Sequence, residues 1–151
     1  MQTITPFLWF NGQAEEAVNF YVSTFRSASV KEVQQMGGAF FYAEFTLQGQ
    51  NFIALNADGT FKFNPAISFM VELDTQEEVD EYWDKLTANG GKESQCGWLE
   101  DKFGLSWQIV PRTLTKLMRD PNKQKANAVM QAMMKMKKII IKDLEDAYNQ
   151  A

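Results

Sequence analysis

The same succession of strand, helix and further strands can be read twice along this chain, and that recurrence constrains the fold more than any single residue does. In the first half, Ile4 to Phe10 is an apolar run stopped by Asn11-Gly12. Ala14, Ala17, Val18, Tyr21 and Phe25 then fall on one helical stripe, with Glu15 and Glu16 in the first turn, where the helix dipole favours negative charge. Strands are expected over 30–36, 40–47 and 51–56, the last two joined at Gly49-Gln50. In the second half a strand over 66–73 leads into Thr75-Gln76-Glu77-Glu78, a capping box in which hydroxyl and carboxylate each take a backbone amide. Val79, Tyr82, Trp83 and Leu86 give the helical stripe, Asn89-Gly90-Gly91 ends it, and strands are expected over 92–99 and 105–110 about a turn at 101–104. Shifted by 61 residues, Val18 falls on Val79 and Tyr21 on Tyr82. A whole supersecondary unit recurring in this way reads as a duplicated βαβββ module.

The expected architecture is therefore α+β. A single domain over 1–151 comprises a first module at 3–57, a second at 66–111 and a helical extension at 112–151, the modules together forming a curved mixed sheet. In the extension, Asp120 is expected to cap a helix with Pro121 at its first position. Val129, Ala132, Met133 and Met136 form one apolar stripe, and Ile140, Ile141, Leu144, Ala147 and Tyr148 another.

Composition removes several classes of chemistry. The chain has no histidine and one cysteine, Cys96. Imidazole-based triads, histidine-ligated zinc and an internal disulfide framework are thereby excluded. Cys96 reads as a structural thiol, and Glu77, Glu78, Asp80, Glu81 and Asp84 as a solvated helix face. A net charge of -4 is the wrong sign for a nucleic-acid binder, and no apolar run reaches the roughly 20 residues of a membrane span. The opening residues lack the basic start and apolar stretch of a secretion signal, so a cytoplasmic location is expected. Residues 1–111 hold 15 acidic and 6 basic side chains, whereas 112–142 hold 9 basic and 1 acidic. That asymmetry, with Met130, Met133, Met134 and Met136, leads us to expect a homodimer.

Three segments carry a family resemblance. Thr3-Ile4-Thr5-Pro6-Phe7-Leu8-Trp9-Phe10 with Ala14-Glu15-Glu16-Ala17, Glu78-Val79-Asp80-Glu81-Tyr82-Trp83, and Cys96-Gly97-Trp98-Leu99-Glu100-Asp101-Lys102-Phe103-Gly104 before Ser106-Trp107-Gln108-Ile109-Val110-Pro111 resemble the PhnB-like proteins. These belong to the vicinal oxygen chelate superfamily, with glyoxalase, bleomycin-resistance and extradiol dioxygenase proteins. The resemblance implies paired modules curling into half-barrels that hold a ligand in their concavity, commonly in a dimer. It also implies that the metal-ligand positions of metal-using relatives fall near Thr5, Ala54, Ser68 and Gln108, none a good ligand for a divalent ion. No metal and no cofactor are expected. The family has carried a 3-demethylubiquinone methyltransferase label, yet no glycine-rich strand-to-helix turn for an adenosyl cofactor is present. Before the last helix the family tends to have Lys-Ile-Asp-Ile; here Ile140 replaces the helix-starting Asp.

Strand alternation then gives candidate site residues. Thr5, Phe7 and Trp9 share one face of the first strand, and Phe52, Ala54 and Asn56 are assigned to the cup side of the fourth. Ser68, Met70 and Glu72, with Ser106 and Gln108, line the second module's side. Aromatic walls with a few polar points suit a small, partly apolar ligand. Two alternatives remain: an isomerase, lyase or dioxygenase-type enzyme, with Glu72 as a buried general base, and a dimeric interaction module.

Overall fold

A computed structural model describes residues 2–151. Two compact units divide at Met1–Phe63 and Asn64–Ala151. In the first, β1 (Phe7–Asn11) leads into α1 (Ala14–Thr24), followed by β2 (Ala28–Met36), β3 (Ala39–Leu47) and β4 (Gln50–Ala57). In the second, β5 (Ser68–Leu73) leads into α2 (Gln76–Thr87) and a short 3-10 turn, then β6 (Lys92–Glu93), β7 (Trp98–Glu100) and β8 (Ser106–Pro111). Three helices follow: α3 (Arg112–Met118), α4 (Lys123–Met133) and α5 (Ile141–Gln150).

The duplication is visible in the strand orders, β1-β4-β3-β2 and β5-β8-β7-β6. In each sheet the first strand runs parallel to the last of its module and the remaining pairs are antiparallel. A parallel return needs a crossover, and α1 and α2 supply it. The hairpins of the first sheet turn on two residues each. Gly37 (φ 61°) and Gly38 (φ 79°) form one, Gln48 (φ 48°) and Gly49 (φ 85°) the other. Positive φ at both central positions matches the twist of the flanking strands, which is why glycine recurs there.

One face of each sheet is sealed by its helix. Leu8, Phe10, Phe45 and Phe52 are buried beneath Ala14, Ala17, Val18 and Tyr21. Phe45 stacks on Tyr21 and on Phe52, with centroids 6.3 and 5.5 Å away. In the second unit Val71, Leu73, Trp107 and Ile109 lie buried, as do Val79, Tyr82 and Leu86 of α2. The expected capping box is present: the Glu78 amide donates to Thr75 Oγ1 at 3.2 Å and the Thr75 amide to Glu78 Oε1 at 3.1 Å. The expected strand over 92–99 is instead two short strands. Between them Cys96 (φ 60°) and Gly97 (φ 85°) turn the chain, and their amides donate to the Met136 and Lys137 carbonyls.

The extension packs on its own apolar cluster of Val110, Leu114, Val129, Ile139 and Leu144, flanked by Met133 and Met136. Part of the methionine stripe is therefore core, while Met134 is exposed. The expected helix cap at Asp120 is displaced. Asn122 caps α4, accepting from the Lys125 amide, and Asp120 instead accepts from the Asn122 amide and the Tyr148 hydroxyl.

Candidate functional site

The face of the first sheet away from α1 carries Phe7, Trp9, Tyr42, Glu44, Ile53 and Leu55, as the registers Phe7↔Ile53, Trp9↔Leu55, Tyr42↔Leu55 and Glu44↔Ile53 require. Phe7 is 58% exposed. Trp9 is fixed from the loop after β4: its indole donates to the Asp58 carbonyl at 2.8 Å and its ring meets Phe61 edge-on at 5.0 Å. Thr5 lies half-buried, ahead of the strand.

Phe52, Ala54 and Asn56 do not belong to that face. They point to the helix side, Phe52 and Ala54 within the core. Asn56 Oδ1 accepts from the Ala14 amide at 3.2 Å, capping α1, whose Gln13 makes no side-chain cap of its own. The alternation misleads because both faces of β4 are apolar between Phe52 and Leu55, and Asn56 is drawn inward by an unsatisfied helix terminus.

In the second sheet the face away from α2 carries Ser68, Met70 and Gln108 from paired positions of β5 and β8, with Trp98 opposite Gln108 on β7. Gln108 Nε2 donates to Ser68 Oγ at 2.9 Å. Met70 is 53% exposed. Ser106 sits at 1% exposure with its hydroxyl unpartnered, so it lies beyond a ligand's reach in this conformation. It is the first residue of a central strand, flanked on both sides by paired neighbours. Glu72 is exposed, and the burial on which its general-base role would rest is missing. A groove of about 480 Å³ opens over this sheet face, bounded on one side by Met70, Trp98, Gln108 and Val110 and on the other by Leu114, Met118, Arg119 and Met133 of the extension. Cys96, half-buried, lies at the same groove. Arg119 was not legible in the sequence, because its convergence with Trp98 and Cys96 depends on how the extension folds back on β8. In the first unit a groove of about 560 Å³ lies on the helix side, lined by Glu15, Asn19, Val33, Phe40 and Asn56 among others.

Residues 2–110 match the family model described as 3-demethylubiquinone-9 3-methyltransferase. The PhnB protein from Bacillus cereus is 36% identical, the match covering 73% of this chain and 99% of that one with a TM-score of 0.68. The chain belongs to this PhnB-like family. More distant structures share the fold alone. FosX, a fosfomycin resistance protein from Listeria monocytogenes complexed with Mn(II) and sulfate, is 14% identical over 73% of this chain and 89% of its own, at a TM-score of 0.54. A glyoxalase/bleomycin resistance protein from Albidiferax ferrireducens is 11% identical over 73% and 99%, at 0.50. No curated protein matches the chain. The PhnB-like match ends at residue 110, so the extension lies outside it.

Neither group that these kinships imply fits the residues present. A methyl donor would need an open strand-to-helix turn. After β1 the turn is Asn11-Gly12-Gln13, and the first amide of α1 is taken by Asn56; after β5 the Thr75–Glu78 box closes the second turn. A divalent ion would need charged oxygen, nitrogen or sulfur donors. Among the described residues no three His, Cys, Asp or Glu cluster. Of the positions the family resemblance implies, Ala54 is in the helix-side core, and the neighbours of Ala54 on the open face are Ile53 and Leu55. Ser68 and Gln108 are neutral and bonded to each other.

Proposed function

We propose that this PhnB-like protein binds a small, partly apolar molecule on the open sheet face of its second module. The observation that carries the reading is the groove at Met70, Trp98 and Gln108, where apolar side chains stay uncovered beside a few neutral polar groups. Pockets of this make-up and size suit small ligands, with apolar walls for affinity and few polar groups for orientation. The aromatic face of Phe7 and Trp9 offers a second such surface in the first module. The lone cysteine fits a cytoplasmic, reducing location. Native mass spectrometry of the purified protein tests the reading: a copurified or added organic molecule retained at one per chain supports it. A retained divalent cation with no organic ligand would turn the reading toward metal-dependent catalysis.

A homodimer is a second proposal. β1 and β5 are edge strands, and Ile4 (95% exposed), Phe7 and Ile67 (69% exposed) stand beside or on them. Exposed apolar residues along an unpaired strand edge favour association with another chain. Light scattering at micromolar concentration should give twice the chain mass; a monomer mass would refute it.

A further inference from the structure

The extension does more than lengthen the chain: it adds a cation to a groove whose sheet-side lining is neutral. Arg119 closes α3, and its side chain lies at the groove over β5, β7 and β8. Its guanidinium has no hydrogen bond or ion pair to any described residue, and no acidic residue lines the groove. The adjacent Asp120 is engaged elsewhere, by the Asn122 amide and the Tyr148 hydroxyl.

Trp98 adds an independent observation. Three of the four indoles donate to fixed partners: Trp9 to the Asp58 carbonyl, Trp83 to Glu93 and Trp107 to Asp101. Trp98, the one that lines the groove, has no side-chain partner among the described residues. Gln108 spends one amide hydrogen on Ser68 and keeps a second. The lining thus brings together Arg119, Trp98 and Gln108, which offer a guanidinium, an indole N–H and an amide N–H, with the Gln108 carbonyl and the Thr115 hydroxyl as acceptors, among Met70, Met118 and Met133. Donors in excess of acceptors, one of them cationic and none facing a carboxylate of the lining, are complementary to an anion with a planar pair of oxygens. Methionine walls accept apolar groups of varied shape.

We infer that the groove takes an apolar monocarboxylate, its carboxylate toward Arg119 and Trp98 and its hydrocarbon or aromatic part against the methionines. The inference rests on the small-molecule reading and names the class of ligand for that site. Arg119 lies in the extension, beyond residues 2–110 that the family model matches.

The test is calorimetric titration of the full chain with phenylbutyrate and with phenylbutanol, which share the apolar part and differ in charge. The acid should bind about tenfold more tightly than the alcohol. Arg119→Gln, an exposed substitution, should bring the acid down to the alcohol's affinity and leave the alcohol unchanged, and Trp98→Phe should weaken the acid several-fold. A charge-assisted contact is worth at least such a factor. Equal binding of acid and alcohol, or an acid preference that survives Arg119→Gln, overturns the carboxylate assignment while the small-molecule reading stands. Binding of neither overturns both.

Discussion

Gln76 bridges the break in the chain before the last helix: its Oε1 accepts from the Ile141 amide at 2.8 Å and its Nε2 donates to the Ile139 carbonyl at 3.0 Å. Ile140, at the N-cap of α5, makes no side-chain cap. An amide more than sixty residues away in sequence does the work of the missing acid, as Asn56 does for α1. Gln76→Ala should therefore destabilise the protein by about 2 kcal/mol, since it strands a half-buried donor and acceptor together. In that background Ile140→Asp should recover about 1 kcal/mol by restoring a local cap. Urea unfolding of the three proteins measures both changes, and an unchanged midpoint for Gln76→Ala would refute the capping role.

The same glutamine sets a pH dependence. Its Nε2 also donates to Asp80 at 3.0 Å, and Lys138 Nζ lies 2.9 Å from the same carboxylate. The Gln76 hydrogen bond first, and Lys138 after it, hold Asp80 below the usual carboxylate range. A depressed folded pKa contributes stability above the unfolded value, near pH 4, and that contribution is lost as the pH falls through the folded value. The pair is partly exposed, so the effect is small. Melting curves of the wild type and Asp80→Asn should differ at pH 7 and converge below pH 3.

Ser106 holds a buried hydroxyl without a partner. Leaving such a group unsatisfied costs about 1–3 kcal/mol. Ser106→Ala should accordingly be neutral or stabilise by about 1 kcal/mol, read as a raised urea midpoint at constant slope. A loss of stability would mean that the hydroxyl has a function in the folded state.

What the sequence disclosed was what neighbours along the chain decide. The α1 stripe from Ala14 to Tyr21 and the Thr75–Glu78 box need only helical periodicity and a three-residue spacing. The turn at 101–104 is likewise local. Asp101 accepts from the Phe103 and Leu105 amides and from the Trp107 indole. The facing of β4 was not legible, because Phe52 and Ile53 are both apolar and only the register with β1 separates them. The α5 cap and the Arg119–Trp98 convergence were hidden for a related reason: each joins the extension to residues many positions upstream.

The proposed site is tested most directly by following the four indole N–H signals by NMR while phenylbutyrate is added to the full chain. Trp9, Trp83 and Trp107 hold their hydrogen bonds and should stay in place, while Trp98 and the Gln108 side-chain amide should shift in a saturable manner. Saturable shifts confined to the groove of α1 at Val33, Phe40 and Asn56, or a titration that leaves Trp98 unmoved, would contradict the site.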